Sequence, residues 1–561
     1  MPDTSNLNPS SASPAKAPIG AFVFFRSSFL NGWRLAAFAI ALLIVVPLTV
    51  VLASLLSPER EIWQHLAEHV LPGLLANTFK MVLGVAAGVT LLGVSLAWLT
   101  AVCDFPGRRF FSWALLLPLA VPAYVTAFVF VAWLDFTGPV QSWLRATFGS
   151  SAWFPPVRSG GGVVLVMTLA LYPYVYLLAR NAFLTQGRRA LEAAQSLGCS
   201  RTEGFFRVAL PMARPWIAGG LMLALMETLA DFGTVSAFNF DTFTTAIYKT
   251  WFGMFSLTGA SQLASVLVLL VFAFILLEQL TRSRLRYSQA GRHSLAVRIP
   301  LSGWRGWLAA GFAAAVLLVA FVLPVGQLVL WSASVFARDF DARYVSFLWH
   351  SLSLGSIAAV LTAACALTLA YAQRRHADPW TRGVVRIATL GYAVPGPVLA
   401  VGVFIPLAWL DNQFIHLGKT LLGRDPGLLL QGTLLVMLPA YLTRFLAVGY
   451  NPIESAMQRI TRNLDEAART FGVAGLQMLR RVHLPMLRGG LFSAAALVFV
   501  DVMKEMPITL MTRPFGWDTL AVRIFEMTSE GEWERAALPA VALVLAGLLP
   551  IALLIRQTEK N

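Results

Sequence analysis

Four acidic residues stand at matching places in two apolar regions of the chain. Glu227 and Asp231 lie in the segment M-E-T-L-A-D-F-G, and Asp501 and Glu505 lie in V-D-V-M-K-E-M-P, 274 residues later. A charge inside a bilayer costs about 2.5–3.5 kcal/mol on insertion scales, so such a side chain usually faces protein or water. Carboxylate oxygens suit hard cations, and we predict that these four residues line a pathway for a cation. The alternative is a structural role, with Lys504 pairing with the adjacent Glu505.

A second cluster has the spacing of metal ligands. His65 and His69 are four residues apart, as two ligands on one helical face would be, and Glu61 lies one turn before His65. Trp63 in the same segment instead favours a solvated helix at the membrane surface. The prediction is that no metal is tightly bound, with His65 and His69 kept as the candidate ligands if one is.

The elements that must position these residues are membrane spans. Of the 561 residues, 57% are hydrophobic and 13% are charged, which is more apolar surface than one water-soluble core would bury. A span needs about 20 mostly apolar residues, so the sequence predicts an all-α polytopic membrane protein with about 12 transmembrane helices. The predicted spans are residues 35–56, 78–102, 110–134, 163–184, 216–235, 261–281, 307–331, 351–372, 384–410, 428–448, 490–510 and 536–556.

The 43 Lys and Arg residues are distributed unevenly between alternate loops. If the N-terminus is cytoplasmic, 30 of them fall in cytoplasmic segments, seven of these at Arg444–Arg488, whereas 12 fall in outer loops and Lys504 lies within a span. Membrane proteins carry excess Lys and Arg on the cytoplasmic side. We therefore predict a multi-pass membrane protein, embedded in the lipid bilayer with both termini cytoplasmic. The net charge of +15 follows from this topology, and no nucleic-acid partner is predicted.

The chain is predicted to be an internal duplication. V-P-A-Y at Val121–Tyr124 aligns with V-P-G-P at Val394–Pro397, 273 residues further on. The predicted halves each have six spans and one shared orientation, so they could enclose a central pathway. The predicted organisation is a disordered cytoplasmic tail at 1–34, a first half at 35–281, a cytoplasmic linker at 282–306, a second half at 307–556 and a C-terminal tail at 557–561.

A polar loop of 21 residues recurs in both halves without a gap. E-A-A-Q-S-L-G at Glu192–Gly198 matches E-A-A-R-T-F-G at Glu466–Gly472, and each copy ends in Leu-Pro-Met. The Glu and Ala residues favour a short helix, the Gly favours a left-handed turn, and Pro is tolerated in the first turn of the next helix. The pattern therefore predicts a helix-turn-helix knob that could seat in a groove of a partner as a lever, rather than a plain connector.

These loops, predicted at residues 185–212 and 455–486, resemble the coupling loops of binding-protein-dependent ABC importer permeases. The resemblance implies a type I ABC importer permease fold with two homologous six-helix halves. The ATPase-coupling residues that it implies are Glu192, Ala193, Ala194, Gly198, Glu466, Ala467, Ala468 and Gly472. The runs Ala230–Gly253 and Lys504–Ala521 are most similar to ferric-iron importer permeases. Fused permeases for thiamine share the architecture, so thiamine or another small solute stays open as the cargo.

The resemblance also implies that the chain is a transport subunit of a bacterial inner membrane and not an enzyme. Two cytoplasmic ATP-binding subunits would hold ATP and Mg²⁺ and grip the coupling loops, a periplasmic binding protein would deliver the ferric iron, and this chain would hold no cofactor. Its own Gly418-Lys419-Thr420 does not complete a P-loop, because Gln413 stands where the pattern needs its first Gly.

Two other classes of protein are alternatives for this chain. A secondary transporter driven by an ion gradient would predict broken helices and a charged relay in corresponding spans, with no need for paired knobs. A membrane enzyme would need a nucleophile with its base, a metal triad or a redox motif, and no such motif rises above scatter in the sequence.

Overall fold

The computed structural model is almost entirely helical. It describes residues 32–57, 60–187, 194, 196–282 and 298–559, so the predicted tail up to residue 31, most of the linker, and Glu192 and Ala193 lie outside the described residues. Eleven helices within the described residues are long and apolar enough to cross a membrane. The helix Trp533–Glu559 covers the twelfth predicted span. The prediction of an all-α polytopic protein with about 12 spans is confirmed.

The helices of the first half are α1 Gly32–Ala53, α2 Arg60–His65, α3 Leu71–Val102, α4 Arg108–Ala114, α5 Ala123–Leu134, α6 Pro139–Phe148, α7 Gly160–Ala182, α8 Arg201–Gly204, α9 Leu210–Ala230, α10 Gly233–Ala237, α11 Phe243–Tyr248 and α12 Leu257–Arg282. Those of the second half are α13 Trp304–Leu317, α14 Leu323–Asp339, α15 Ala342–Arg375, α16 Pro379–Ala388, α17 Gly396–Leu422, α18 Leu434–Arg459, α19 Arg462–Thr470, α20 Gly475–Met478, α21 Leu484–Lys504, α22 Pro507–Thr512, α23 Leu520–Ser529 and α24 Trp533–Glu559. A short parallel pair joins β1 Cys103–Asp104 to β2 Ile299–Pro300.

Two of the predicted spans are interrupted by 3₁₀ turns at equivalent places. Residues 110–134 form α4, the turn Leu117–Ala120 and then α5, and residues 384–410 form α16, the turn Leu390–Ala393 and then α17. The cause is the Val-Pro step after each turn, because a residue before proline is forced out of the helical conformation. Val121 and Val394 accordingly have ψ of 122° and 126°. We call these two segments the break turns.

Two further predicted spans end early. The span at 216–235 stops at Ala230 and the span at 490–510 stops at Lys504, where Asp231 and Glu505 adopt extended backbone. The short helices α10 and α22 follow. Non-helical backbone at membrane depth is tolerated where it is buried in protein or lines a cavity. Broken helices thus occur in corresponding spans of both halves, and their presence does not separate a secondary transporter from the class that the loops resemble.

The first long helix of each half packs against the opposite half. In α1, Ala37, Ala41 and Ile44 belong to a buried cluster formed otherwise by second-half residues. Arg34 of α1 forms an ion pair with Asp378 at 2.8 Å, before α16. The reciprocal helix α13 contributes Ala313, Val316 and Leu317 to the core of the first half. The halves are therefore interlocked through their first helices.

Candidate functional sites: a polar cavity and two repeated loops

A cavity of about 230 Å³ lies where the interrupted spans of the two halves meet. All four predicted carboxylates line it, so residues far apart in sequence share one site. Its other polar side chains are Tyr124, Tyr174, Tyr392, Arg444 and Lys504. Four carboxylates against two cations give the cavity a formal charge of −2 when all six groups are ionised.

The carboxylates differ in how they are held. Asp231 accepts hydrogen bonds from the backbone N–H groups of Thr234 at 2.9 Å and Val235 at 3.1 Å, so it caps α10. Glu227 accepts one from the Tyr392 hydroxyl at 2.7 Å, across the two halves. Asp501, the equivalent of Glu227, has no hydrogen-bond partner among the residues that the structure describes. Asp231 is therefore partly structural, whereas Glu227 and Asp501 have more capacity for a ligand.

Glu505 does not pair with its neighbour Lys504, as the structural alternative supposed. Its Oε2 lies 3.2 Å from Nε of Arg444, and both side chains are buried. The charge distribution predicts Arg444 in a cytoplasmic loop. This prediction is wrong, because Arg444 lies within α18 and is only 7% exposed. A buried carboxylate needs a counter-charge, and breaking such a pair typically costs about 3–5 kcal/mol. Arg444 is buried because the buried carboxylate of Glu505 needs a counter-charge.

Lys504 crosses to the first half. Its Nζ donates a hydrogen bond to the backbone carbonyl of Leu119, in the first break turn, at 3.0 Å. The carbonyl is accessible to this donor because the break turn leaves the helical hydrogen-bond ladder. The Tyr124 hydroxyl, near the start of α5, is buried without a hydrogen-bond partner among the described residues. The cavity thus holds both satisfied and unsatisfied polar groups.

The described part of the chain forms no metal site in this conformation. Among the described residues, no group of three or more His, Cys, Asp and Glu side chains is arranged to hold a metal ion. The rings of His65 and His69 stack with centroids 5.1 Å apart, on an exposed stretch that includes a π-helical turn at Leu66–Val70. The pair does lie on one face, as predicted, but the surrounding residues do not complete a ligand set.

The two repeated loops have the same turn. Gly198 and Gly472 have φ of 89° and 75°, the left-handed conformation that the pattern predicts. The N–H of Cys199 donates to the carbonyl of Ala194 at 3.0 Å, and the N–H of Val473 donates to that of Ala468 at 3.0 Å. These are equivalent bonds of a Schellman-type helix end. The predicted knob turn is present in both copies.

An apolar side chain protrudes beside each glycine. Leu197 is 86% exposed and Phe471 is 85% exposed, and the two positions are equivalent in the repeat. Large apolar side chains are thus exposed at the same place in both loops, which makes these two positions candidates for contact with another molecule. We call Leu197 and Phe471 the tip residues.

The second helix of each predicted knob is present, and it continues through the Leu-Pro step into the following span. It starts at Arg201 in the first loop and at Gly475 in the second, and one π-helical turn precedes each proline, at Phe205–Ala209 and Leu479–His483. A proline in a regular helix clashes with the carbonyl four residues before it and lacks an N–H. The wider turn accommodates Pro211 and Pro485, so the chain stays helical through both.

A polar clamp holds the second loop to the spans. Asp465, next to Glu466, lies 2.8 Å from Nη2 of Arg374 and 2.8 Å from Nε2 of His483. Arg374 also donates to the carbonyls of Met457 and Ile460. Burial raises the pKa of Asp465, but the hydrogen bonds from His483 and Arg374 outweigh it and hold the pKa below its ordinary value. This clamp of Arg374, Asp465 and His483 fixes α19 to the ends of α15, α18 and α21.

The first loop is anchored differently. Trp98, which aligns with Tyr371 of the second half, packs edge-on against Phe183 at 5.4 Å and Phe205 at 4.5 Å. Ala101 and Ala209 stand where the second half has Arg374 and His483. Among the residues that the structure describes, the anchor of the first loop is therefore an aromatic cluster of Trp98, Phe183 and Phe205 in place of an ionic one.

Comparison with known proteins gives a matching family for both halves. The family described as "Binding-protein-dependent transport system inner membrane component" matches residues 90–287 and again residues 352–558. Together these segments cover well over half of the chain, and each contains one copy of the repeated loop.

Individual relatives extend over most of the chain. An Fe(3+)-transport system permease protein, FbpB 2, of Haemophilus influenzae is 27% identical over 493 residues, covering 87% of this chain and 90% of the relative. A ferric transport system permease protein of Actinobacillus pleuropneumoniae is 22% identical, over 74% of this chain and 61% of the relative. A putative 2-aminoethylphosphonate transport system permease protein of Salmonella choleraesuis is 26% identical, over 45% of this chain and 94% of the relative.

Proposed function

Because the chain belongs to the binding-protein-dependent transport system inner membrane component family, we propose that it is the permease through which an ABC importer carries ferric iron. The family makes it a multi-pass inner-membrane transport subunit that works with a binding protein and an ATPase. Two relatives that align with most of this chain are named as ferric iron transport permeases.

The observation that carries the cargo proposal is the cavity. Glu227 and Asp501 face the same space from equivalent positions in the two halves, with the hydroxyls of Tyr124, Tyr174 and Tyr392 around them. Carboxylate and phenol oxygens are donors that a hard trivalent cation prefers. The carboxylates do not converge on one point, which suits a transit site, since a cation held tightly there could not leave.

The repeated loops are the proposed contacts for the ATPase. Two cytoplasmic ATP-binding subunits would each receive one knob, with its tip residue buried and its motif residues at the interface. In this arrangement ATP and Mg²⁺ bind to those subunits, this chain carries no cofactor of its own, and a periplasmic binding protein docks on the opposite side. Both termini would then lie on the cytoplasmic side, as the charge distribution predicts.

A small anionic solute is the second candidate. Arg444 and Lys504 place two cationic groups in the cavity, and one relative is named for an aminophosphonate. The Arg444 guanidinium is occupied by Glu505, however, and the formal charge of the cavity remains negative. This favours the cation.

The test is uptake of radioactive ferric iron by proteoliposomes that contain the permease, its ATPase subunits and the ferric-loaded binding protein. Glu227→Gln and Asp501→Asn remove charge while keeping shape, and the double variant should lose roughly tenfold or more of ATP-driven uptake. Asp425→Asn is the matched control, because this carboxylate pairs with Lys419 at 3.0 Å on an exposed loop away from the cavity.

Two results would contradict the proposal. If the double variant imports iron at the parental rate, the cavity is not the iron pathway. If the parent imports 2-aminoethylphosphonate or thiamine but not iron, the permease class stands and the cargo is wrong.

A further inference from the structure

Two hydrogen bonds link the halves across the cavity, and they join equivalent elements in opposite directions. Lys504 at the end of α21 donates to the Leu119 carbonyl of the first break turn at 3.0 Å. Tyr392 of the second break turn donates to Glu227 near the end of α9 at 2.7 Å. Leu119 and Tyr392 are equivalent positions in the repeat, as are Ala230 and Lys504. Each break turn is thus tied to the long helix of the other half.

We propose that these two contacts are latches that close the cavity, and that a multivalent cation in the cavity releases both. This inference rests on the proposed cation cargo. Lys504 and Tyr392 then make the opening of the cavity depend on the charge of the cargo. The repeat pattern alone does not predict this role for either residue.

The latch between Tyr392 and Glu227 responds because the cargo competes for its acceptor, the Glu227 carboxylate. A cation that takes an oxygen of Glu227 as a ligand draws the carboxylate away from the Tyr392 hydroxyl. The hydroxyl is left unpaired in a buried site, where an unsatisfied polar group is unfavourable. The break turn that carries Tyr392 loses its tie to α9.

The latch between Lys504 and Leu119 responds through electrostatic repulsion between the cargo and the Lys504 ammonium. The Lys504 ammonium lines the same cavity of about 230 Å³ as the carboxylates. At these short distances, and away from bulk water, like charges repel strongly. A trivalent cation therefore disfavours the position of Lys504 that reaches Leu119, whereas an anion could draw the ammonium toward itself but would be repelled by the Glu227 carboxylate. A neutral or anionic solute could not release both latches.

The test measures access to the cavity without any cargo. The three native cysteines are replaced in the full-length chain, Ala123→Cys is added on the cavity wall, and membrane vesicles of both orientations are treated with a membrane-impermeant cationic thiol reagent. On the side from which the parent labels slowly, Tyr392→Phe and Lys504→Met should each raise the labelling rate about tenfold, the factor that corresponds to about 1.4 kcal/mol, and the double variant should raise it further.

Two controls separate latches from general loosening. Tyr441→Phe also removes a buried tyrosine hydrogen bond, to Thr509, but that bond lies within the second half. Lys504→Arg keeps a donor of the same charge. Both should label within about twofold of the parent. If the double variant labels at the parental rate, or if Tyr441→Phe labels as fast as Tyr392→Phe, the latches do not exist.

A cargo arm separates this inference from the proposed function. Ferric ion supplied from a nitrilotriacetate buffer should raise the labelling rate of the parent and leave that of the double variant unchanged, whereas iron-free nitrilotriacetate and 2-aminoethylphosphonate should change neither rate. If the variants label fast while iron has no effect on the parent, the closing contacts stand but release by a cation is wrong.

Discussion

The second repeated loop is anchored by charge and the first by aromatic packing, although their turns have the same bonds. Arg374, Asp465 and His483 form the clamp of the second loop. Trp98, Phe183 and Phe205 form the cluster at the first. Duplication has therefore kept the part that faces outward and changed the part that attaches it to the spans.

This difference separates two roles within one motif. The glycine turn and the exposed tip residue occur in both loops, as expected if both copies meet the same kind of partner surface. The anchors need only transmit force into the spans of their own half, and an ion pair or an aromatic contact can each do so. The shared features should therefore be equally sensitive in the two halves, and the anchors should not.

The largest effect is expected from the shared turn. Gly198→Val and Gly472→Val place a β-branched residue at a left-handed φ, which strains the turn and misdirects the knob. Each should lower ATP-driven uptake by roughly tenfold or more, with ATP hydrolysis less affected. Gly489→Ala, on a helix face with open space around it, is the control. Loss in only one of the two variants would break the equivalence of the turns.

The tip residues should give the next largest effect. Leu197→Ser and Phe471→Ser remove apolar surface that is exposed in the permease and, in our proposal, buried by the ATPase. Burying such a side chain contributes about 1.5–3 kcal/mol, so the affinity for the ATPase subunits should fall about tenfold in each variant. Titration of the ATPase onto the permease in nanodiscs measures this. Unchanged affinity in both would show that the tips do not contact the ATPase.

A smaller effect is expected from the clamp, and only in the second half. Asp465→Asn leaves Arg374 short of its counter-charge and should lower uptake per ATP hydrolysed about fivefold. Adding Arg374→Gln should restore part of the loss, because the two residues interact directly. Arg462→Gln, exposed on the same helix, should have little effect. Additive losses for Asp465 and Arg374 would contradict a clamp.

The smallest effect concerns pH. The pKa of Asp465 lies below its ordinary value in the folded protein, so its contribution to stability is complete above the unfolded pKa of about 3.9 and is lost as the pH falls through the folded pKa. Between pH 7.5 and 5.5, the difference in unfolding free energy between the parent and Asp465→Asn should therefore not shrink. Below pH 4 it should shrink, as thermal unfolding in detergent would detect. A shrinking difference already at pH 6 would mean that Asp465 is not held as a carboxylate.

Much of the architecture could be predicted from the sequence because it depends on local patterns. Apolar runs determine the spans, and a glycine after E-A-A determines the turn. The positions of Glu227, Asp231, Asp501 and Glu505 in the repeat indicated one shared site, and the cavity brings them together.

The partners of these residues could not be predicted. Arg444 is expected in a cytoplasmic loop because arginines near the ends of spans usually lie there. Its burial depends on the tertiary position of Glu505, which the sequence does not indicate. Tyr392 reaches Glu227 from 165 positions away, and no sequence period relates them. The interruptions of the spans, in contrast, had a visible signal in the Val-Pro steps at Val121 and Val394, and the apolar runs around these steps concealed it.

The exchange of first helices has a consequence for how the chain is assembled. Helix α1 leaves the ribosome well before the second half, and the helices that bury Ala37, Ala41 and Ile44 are made after residue 342. During synthesis this face of α1 therefore stays exposed to lipid until most of the chain has been inserted. Its Arg34 can pair with Asp378 only after that. Each half thus packs one helix against the other, so two separate polypeptides divided at the linker would have to meet in one membrane to build this structure.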